Sequence, residues 1–259
     1  MSSPGGMLDG VERYCMFFGY PRSGHTLTGS LLNAHPEVLI SIELDALSRL
    51  REGVDRKALF DEIWAEDQRF AARKRAHMGY DYAVPGAWQG VPKPVRVIGD
   101  KKGGRSSWWL HDEPALLDRL YEVVALPVRF IHVSRSPWDN IATIVRRGMD
   151  HTRAIEWFFE TCDAVAGIKA RIPADQVLDL RHEDFLGDPR AHLRGLCRFL
   201  EVREDEAWID ACLAVVDARP RRSRDELPWS AEQIAWVQRE VARFPWFRGS
   251  DLELKGEGP

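Results

Sequence analysis

Apolar and polar positions alternate in blocks along the chain, and the blocks read as strands separated by helices. "YCMFFGY" is a short aromatic-rich run closed by glycine, and "GHTLTGSLLNAHP" behind it sets Leu27, Leu31 and Leu32 at helical spacing before Pro36 ends the helix. In "NAHPEVLISIELDAL", Ile40, Ile42 and Leu44 alternate with polar neighbours as in a short strand, which places Glu43 at its end. From Ala46 to about Met78 a charged, mostly helical stretch carries Leu47, Leu50, Leu59, Ile63, Trp64 and Phe70 as its apolar face. "GYDYAVPGAWQGVPKP" reads as a loop from its glycines and prolines. "VRVIG", "VRFIHVSR" and "QVLDL" are further strands, and "EPALLDRLYEVV", "DNIATIVRR", "TRAIEWFFETCDAVAGIKARI" and "PRAHLRGLCRFLEV" are helices. The tail from Asp217 opens with the basic cluster "ARPRRSRDELPW" and closes with the Trp/Phe-rich helix "AEQIAWVQREVARFPWF".

Strands alternating with helices predict a three-layer α/β/α fold around a central parallel sheet, built as one domain over residues 1–259. Open sheets of this kind bind ligands at the carboxyl ends of their strands, where the polar candidates fall.

Composition narrows the classes. With 36 basic and 40 acidic residues intermixed and a net charge of -4, no global field favours nucleic acid or an anionic membrane, so any anion is held locally. Cys15, Cys162, Cys197 and Cys212 are scattered without metal-ligand spacing and read as buried free thiols. Neither a signal-like leader nor an apolar run of the roughly 20 residues that span a bilayer is visible, so a cytoplasmic enzyme is expected. A homodimer stays open.

"GYPRSGHT" has the outline of a nucleotide-binding P-loop, with Gly19, Gly24 and Thr26, but His25 stands where that motif has lysine. A turn that leaves a strand and opens a helix presents unpaired backbone N–H groups at the positive end of the helix dipole, an anion cradle. Arg22, Ser23, Gly24, His25, Thr26 and Leu27 line it, and Arg22 stands upstream as the cation. A plain strand–helix connection is the competing reading. In "VRFIHVSRSPWDNIATIVRR", Arg135 leaves a strand and Thr143 follows on the next helix; a turn at Ser136–Pro137 directs both at one phosphate. Taken alone, Arg135 reads equally as a surface ion-pair residue.

At these residues the chain resembles sulfotransferases that use 3′-phosphoadenosine 5′-phosphosulfate (PAPS). "YPRSGHTL" resembles their 5′-phosphosulfate loop, "VSRSPWDNIAT" their 3′-phosphate motif, and "LRHEDFLGDPRAHLRGLCRFLEV" a third segment, in the family's order over about residues 14–202. The resemblance implies a P-loop NTPase-like α/β fold and sulfuryl transfer to a hydroxyl or amine without a metal. It assigns the 5′-phosphosulfate to Arg22, Ser23, Gly24, His25, Thr26 and Leu27, and the 3′-phosphate to Arg135 and Thr143. His182 takes the place of a tyrosine often found near the adenine. The family's C-terminal glycine-rich loop is not evident; the stretch with Arg221, Arg222 and Arg224 either closes over the cofactor in its place or is a solvated basic turn.

Sulfuryl transfer, like phosphoryl transfer, needs cations at the leaving group and a base for the acceptor. Arg22 and Lys101 are the cationic candidates, Lys101 matching a Gly-Asp-Lys segment of bacterial relatives, with Lys102 as the alternative register. Glu43 matches the glutamate that tyrosylprotein and several bacterial sulfotransferases use as base, with Glu37 and Asp45 as its competitors. His25 is read as a hydrogen-bond donor to the sulfate, and His111 and His132 as structural. The acceptor is a small molecule, glycan, lipid or peptide, shaped by residues 44–92 and 217–259. A kinase using ATP and magnesium, with Asp100 as metal ligand, is the rival function; a non-catalytic binding module is the other.

Overall fold

The computed structural model describes residues 5–217, 222–247, 249 and 254. The chain runs through strand β1 (Arg13–Gly19), helix α1 (His25–Asn33), β2 (Val38–Ile42), α2 (Ala46–Arg51) and α3 (Arg56–Ala72). A hairpin of β3 (Ala76–His77) and β4 (Tyr80–Asp81) follows, then β5 (Val97–Lys101), α4 (Gly104–Asp112), α5 (Ala115–Val124) and β6 (Val128–Ser134). Next come α6 (Pro137–Val145), α7 (His151–Lys169), β7 (Val177–Arg181), α8 (His182–Gly187), α9 (Pro189–Leu200), α10 (Glu206–Leu213) and α11 (Ala231–Val241).

Five strands form one parallel sheet in the order β2-β5-β1-β6-β7, with Ile42 opposite Lys101, Gly19 opposite Val133 and Ser134 opposite Arg181. Successive side chains of a strand point to opposite faces, so β1 serves two cores at once. Tyr14, Met16 and Phe18 face a core with α2, α5 and α7, while Cys15 and Phe17 face a core with α1, α9 and α10. Both layers of helices are thereby fixed to one sheet, as the α/β/α expectation requires. All four cysteines are buried and free. Among the described residues no helix is long and apolar enough to cross a membrane.

The helical stretch expected from Ala46 to Met78 is interrupted. Asp55 caps α3 by accepting from the Ala58 N–H (2.8 Å), and α3 ends where Lys74 and Arg75 turn left-handed (φ 52° and 54°). The segment then makes a hairpin rather than a plain loop: Met78 and Gly79 are both at positive φ (53° and 84°), the conformation of a two-residue hairpin turn, and His77 pairs with Tyr80. A buried hub anchors the root of the hairpin. Asp67 is ion-paired with Arg75 (2.8 Å) and accepts from Asn33 (2.6 Å) and the Gly90 N–H (3.1 Å), and Asn33 accepts from the Ile40 N–H (3.0 Å). The helix α4 lacks an apolar signature because its buried face is Gly104, Ser106, Ser107 and Leu110. Small side chains there let α4 lie close to β1 and α7.

Candidate active site

The carboxyl ends of the five parallel strands carry, in spatial order, Glu43, Lys101, the loop 20–24, Arg135 and His182. Residues far apart in the sequence therefore share one edge of the sheet.

The central loop joins β1 to α1. Gly24 occupies the N-cap with φ 102°, and Arg22 is also left-handed (φ 70°), so the first-turn N–H groups of α1 point out of the loop. A side chain at Gly24 has no room, since a Cβ there lies 2.5 Å from His182 Nδ1. The Ser107 hydroxyl bonds both Gly19 N and Gly19 O (2.7 Å each) and fixes the strand end below. Arg22 is half-buried with its Nε lacking a hydrogen-bond partner, which leaves a donor unspent.

His25 corrects one expectation. Its ring is buried beneath the loop, with Nε2 3.0 Å from the Phe18 carbonyl and Nδ1 3.1 Å from the Ser23 hydroxyl. The carbonyl requires Nε2 to carry the proton, so the side chain does not face a sulfate; only its backbone N–H belongs to the cradle. Burial, with Lys101 nearby, holds the imidazole neutral, down to about 3. His35 is locked in the same way, accepting from the Glu37 N–H (3.1 Å) and donating to the Arg203 carbonyl (3.0 Å), with burial lowering it to about 4. His182, packed on Gly24, is lowered to about 4 by burial and by Arg135.

These histidines make a prediction about stability. Each binds a proton near pH 6.5 when unfolded but not when folded, so its contribution is complete above that pH and is lost as the pH falls towards 4. Each approaches about 1.4 kcal/mol of lost stability per pH unit in that window. Asp100, raised to about 6 by burial, works in the opposite direction and offsets one of them. The urea midpoint should fall from pH 7 to pH 5 at constant slope; a midpoint independent of pH contradicts the buried neutral rings.

On the β2–β5 side, Lys101 is buried (3 % exposed) and its Nζ bonds Thr26 Oγ1 (2.9 Å) while pairing with Glu43 Oε1. Lys102 Nζ lies 3.1 Å from Glu43 Oε2 and 3.4 Å from the Glu43 carbonyl. Glu43 is itself at φ 76°, a strained conformation for a non-glycine residue, in a turn that Asp100 pins. Asp100 accepts from Ser41 Oγ (2.8 Å), Leu44 N (3.2 Å) and Ala46 N (2.9 Å), and is buried. Both its oxygens are committed to holding the turn, which removes it from the magnesium role of the kinase reading. Burial pushes the Glu43 carboxyl up, but Lys101 and Lys102 outweigh it and hold the group below its usual value. Lys101 is lowered by burial against the pull of Glu43.

The competing carboxylates are engaged elsewhere. Asp45 accepts from Trp109 Nε1 (3.0 Å) and faces Arg105 (3.4 Å); Glu37 accepts from the Arg203 N–H (3.1 Å) ahead of β2, at the far end of the strand. His132 is buried against Asp179 (2.6 Å) and His111 is exposed on α4, neither within the site.

On the β6–β7 side, Arg135 reaches the Arg22 carbonyl (3.4 Å), and Glu183 accepts from the Ser136 N–H (2.9 Å), setting the turn into α6. The C-terminal segment returns here: Thr143 Oγ1 lies 3.3 Å from Ser223 Oγ, and Arg224 bonds Asp139 and Ser136 Oγ (2.7 Å each). Arg224 is thus beside the Arg135–Thr143 motif. Arg222 is not, being exposed and paired with Asp225 (3.0 Å), and Arg221 lies outside the described residues.

Sequence reading missed His77, whose Nε2 is 3.9 Å from Glu43 Oε1 at the root of the hairpin turn. The signal was the Met-Gly pair between "AH" and "YDY", a two-residue turn between short aromatic-flanked strands. Among the described residues no group of His, Cys, Asp and Glu has metal-binding geometry.

The model of the sulfotransferase family matches residues 16–206. Among solved structures, the chain is similar to the sulfotransferase domain of the olefin synthase from Synechococcus PCC 7002 (23 % identity, 80 % and 81 % of the two chains covered, TM-score 0.50). It is also similar to the sulfotransferase domain from the curacin biosynthetic pathway (16 %, 83 % and 82 %, TM-score 0.52). A third is the sulfotransferase STF9 from Mycobacterium avium (14 %, 97 % and 80 %, TM-score 0.52). Among curated proteins no sequence matches.

Proposed function

Because the chain belongs to the sulfotransferase family, we propose that it moves a sulfuryl group from PAPS to a hydroxyl or amine of a small-molecule, glycan, lipid or peptide acceptor, with Glu43 as general base. The observation that carries this reading is Lys101, which bonds the loop residue Thr26 and the carboxylate of Glu43 at once. It brings an anion cradle and a base within one side chain of each other.

The residues fit the donor chemically. The first-turn N–H groups of α1, Thr26 and the unspent Nε of Arg22 suit a phosphosulfate, and Arg135 with Thr143 and Arg224 suits a phosphate on the other side of the loop. When bound, the donor supplies the sulfuryl group and leaves as adenosine 3′,5′-bisphosphate. Lys101 and Arg22 stabilise the charge that gathers on the bridging oxygen, and no metal is needed for that role. Glu43 takes the acceptor's proton as the new O–S or N–S bond forms. Residues 44–92, including the hairpin with His77, form the acceptor side, and the protein works in the cytoplasm.

Calorimetry tests the donor assignment. Adenosine 3′,5′-bisphosphate should bind without metal, and ATP with magnesium should not. Arg135→Ala should weaken bisphosphate binding by about 10-fold or more, the cost of one charge-assisted contact. ATP binding with magnesium in preference to the bisphosphate, or an unchanged dissociation constant in Arg135→Ala, contradicts the reading. Transfer of labelled sulfate to a panel of phenols, sugars, peptides and lipids identifies the acceptor.

A further inference from the structure

The consecutive lysines at the end of β5 are not equivalent. Adjacent residues at a strand end leave it in different directions. Lys101 turns inward, almost fully buried, and divides its ammonium between Thr26 on the loop and Glu43 Oε1. Lys102 stays at the surface side (25 % exposed) and holds the other carboxylate oxygen, Oε2, at 3.1 Å together with the Glu43 carbonyl at 3.4 Å. One carboxylate is therefore held at both oxygens by two different cations, and only one of those cations also touches the anion cradle.

Lys101 faces a conflict once an anion enters that cradle. Its contact with Thr26 places the ammonium beside the incoming sulfuryl oxygens, and a dianion there competes with Glu43 for it. If Lys101 were the sole partner, drawing it away would leave Glu43 partly buried, in a strained turn and without a counter-charge, which favours the protonated and useless form. Lys102 removes that conflict.

We propose that Lys102 is a positioning residue that keeps Glu43 ionised and aimed while Lys101 serves the donor. This rests on Glu43 being the base. In the transfer step the acceptor oxygen bonds to sulfur and the bond from sulfur to the bridging oxygen breaks. Its electron pair goes to the 5′-phosphate of the leaving bisphosphate, and the hydroxyl proton goes to Glu43. Lys102 touches none of the reacting atoms and acts through Glu43 alone. The titratable groups that face Glu43 are Lys101 and Lys102 from β5 and its exit, His77 from the hairpin, Tyr82 just beyond it, His25 at the start of α1 and, behind the turn, Asp100.

Donor hydrolysis, with water as acceptor and release of labelled sulfate from PAPS as the readout, gives kcat across pH without knowledge of the natural acceptor. In Lys102→Met, the bisphosphate dissociation constant should match the unsubstituted protein. The half-maximal point of the acid limb of kcat should move up by about one pH unit, because a carboxylate that loses a neighbouring cation protonates more readily. Lys102→Arg, which keeps the charge, should return the limb most of the way. An acid limb that stays in place in Lys102→Met, or a donor affinity that falls in step with kcat, overturns the proposal. Glu43→Gln run in parallel separates the two readings. If it keeps turnover, the base assignment fails. If it loses turnover while Lys102→Met leaves the limb unmoved, only the division of labour between the lysines fails.

Discussion

Glu43→Gln should lower sulfuryl transfer by roughly 100-fold or more and leave bisphosphate binding nearly unchanged. The amide has the shape of the carboxylate and its one oxygen can still accept from one of the two lysines, and Asp100 pins the turn through the backbone N–H groups of Leu44 and Ala46, so the turn is kept. What it loses is the capacity to take a proton. The groups that fit the donor lie in the loop 20–24, on α1, at the entry to α6 and along it, in the C-terminal segment and, for Lys101, at the end of β5, and none of them depends on that capacity. A steady-state rate together with calorimetric titration of adenosine 3′,5′-bisphosphate checks both halves. Turnover retained at the original level removes Glu43 from the role, and His77, 3.9 Å away, becomes the group to test next.

Lys101→Ala should be as severe for a different reason. A cation aimed at charge that develops in the transition state is worth about 100- to 1,000-fold in kcat when it is removed from a preorganised site. Two further consequences separate it from Glu43→Gln. Donor binding should weaken, because Lys101 is bonded to Thr26 on the loop. The acid limb of kcat/KM, which reports the donor-free enzyme, should also rise, because Lys101 is there the strongest of the cations that hold Glu43 below its usual value. Rates measured across pH, with bisphosphate titration of the variant, read all three. A variant with normal donor affinity and an unmoved acid limb contradicts the placement of Lys101 between loop and base.

The difference between the two lysines could not be read from "GDKKGG", where either register was open. Direction at a strand end separates their surroundings: Lys101 pairs across from Ile42 inside the sheet, and Lys102 is already outside it. The same reasoning explains Asp100, which only the rival kinase reading took as a magnesium ligand and which is a hydrogen-bond acceptor for the turn of Glu43 in space. His25 is another such case. Its position in the motif suggested a ligand, and its side chain instead packs between Phe18 and Ser23 beneath the loop.

Hydrophobic periodicity and turn chemistry are local properties, and they determined the succession along the chain of the sheet strands and most helices, the loop between β1 and α1, and the position of Glu43 at a strand end. Where the local signal was weak, packing decided: α4 buries glycine and serine rather than an apolar stripe, and the hairpin at 76–81 is held by Asp67, Asn33 and Arg75 from a buried hub. The sequence alone could name Glu43, Lys101, Arg22, Arg135 and Thr143, because each sits in a recognisable local motif. Only the parallel pairing of β2, β5, β1, β6 and β7 could set them along one edge, since contacts between residues as distant as Thr26 and Lys101, or Thr143 and Ser223, are fixed by sheet order and not by neighbours in the chain.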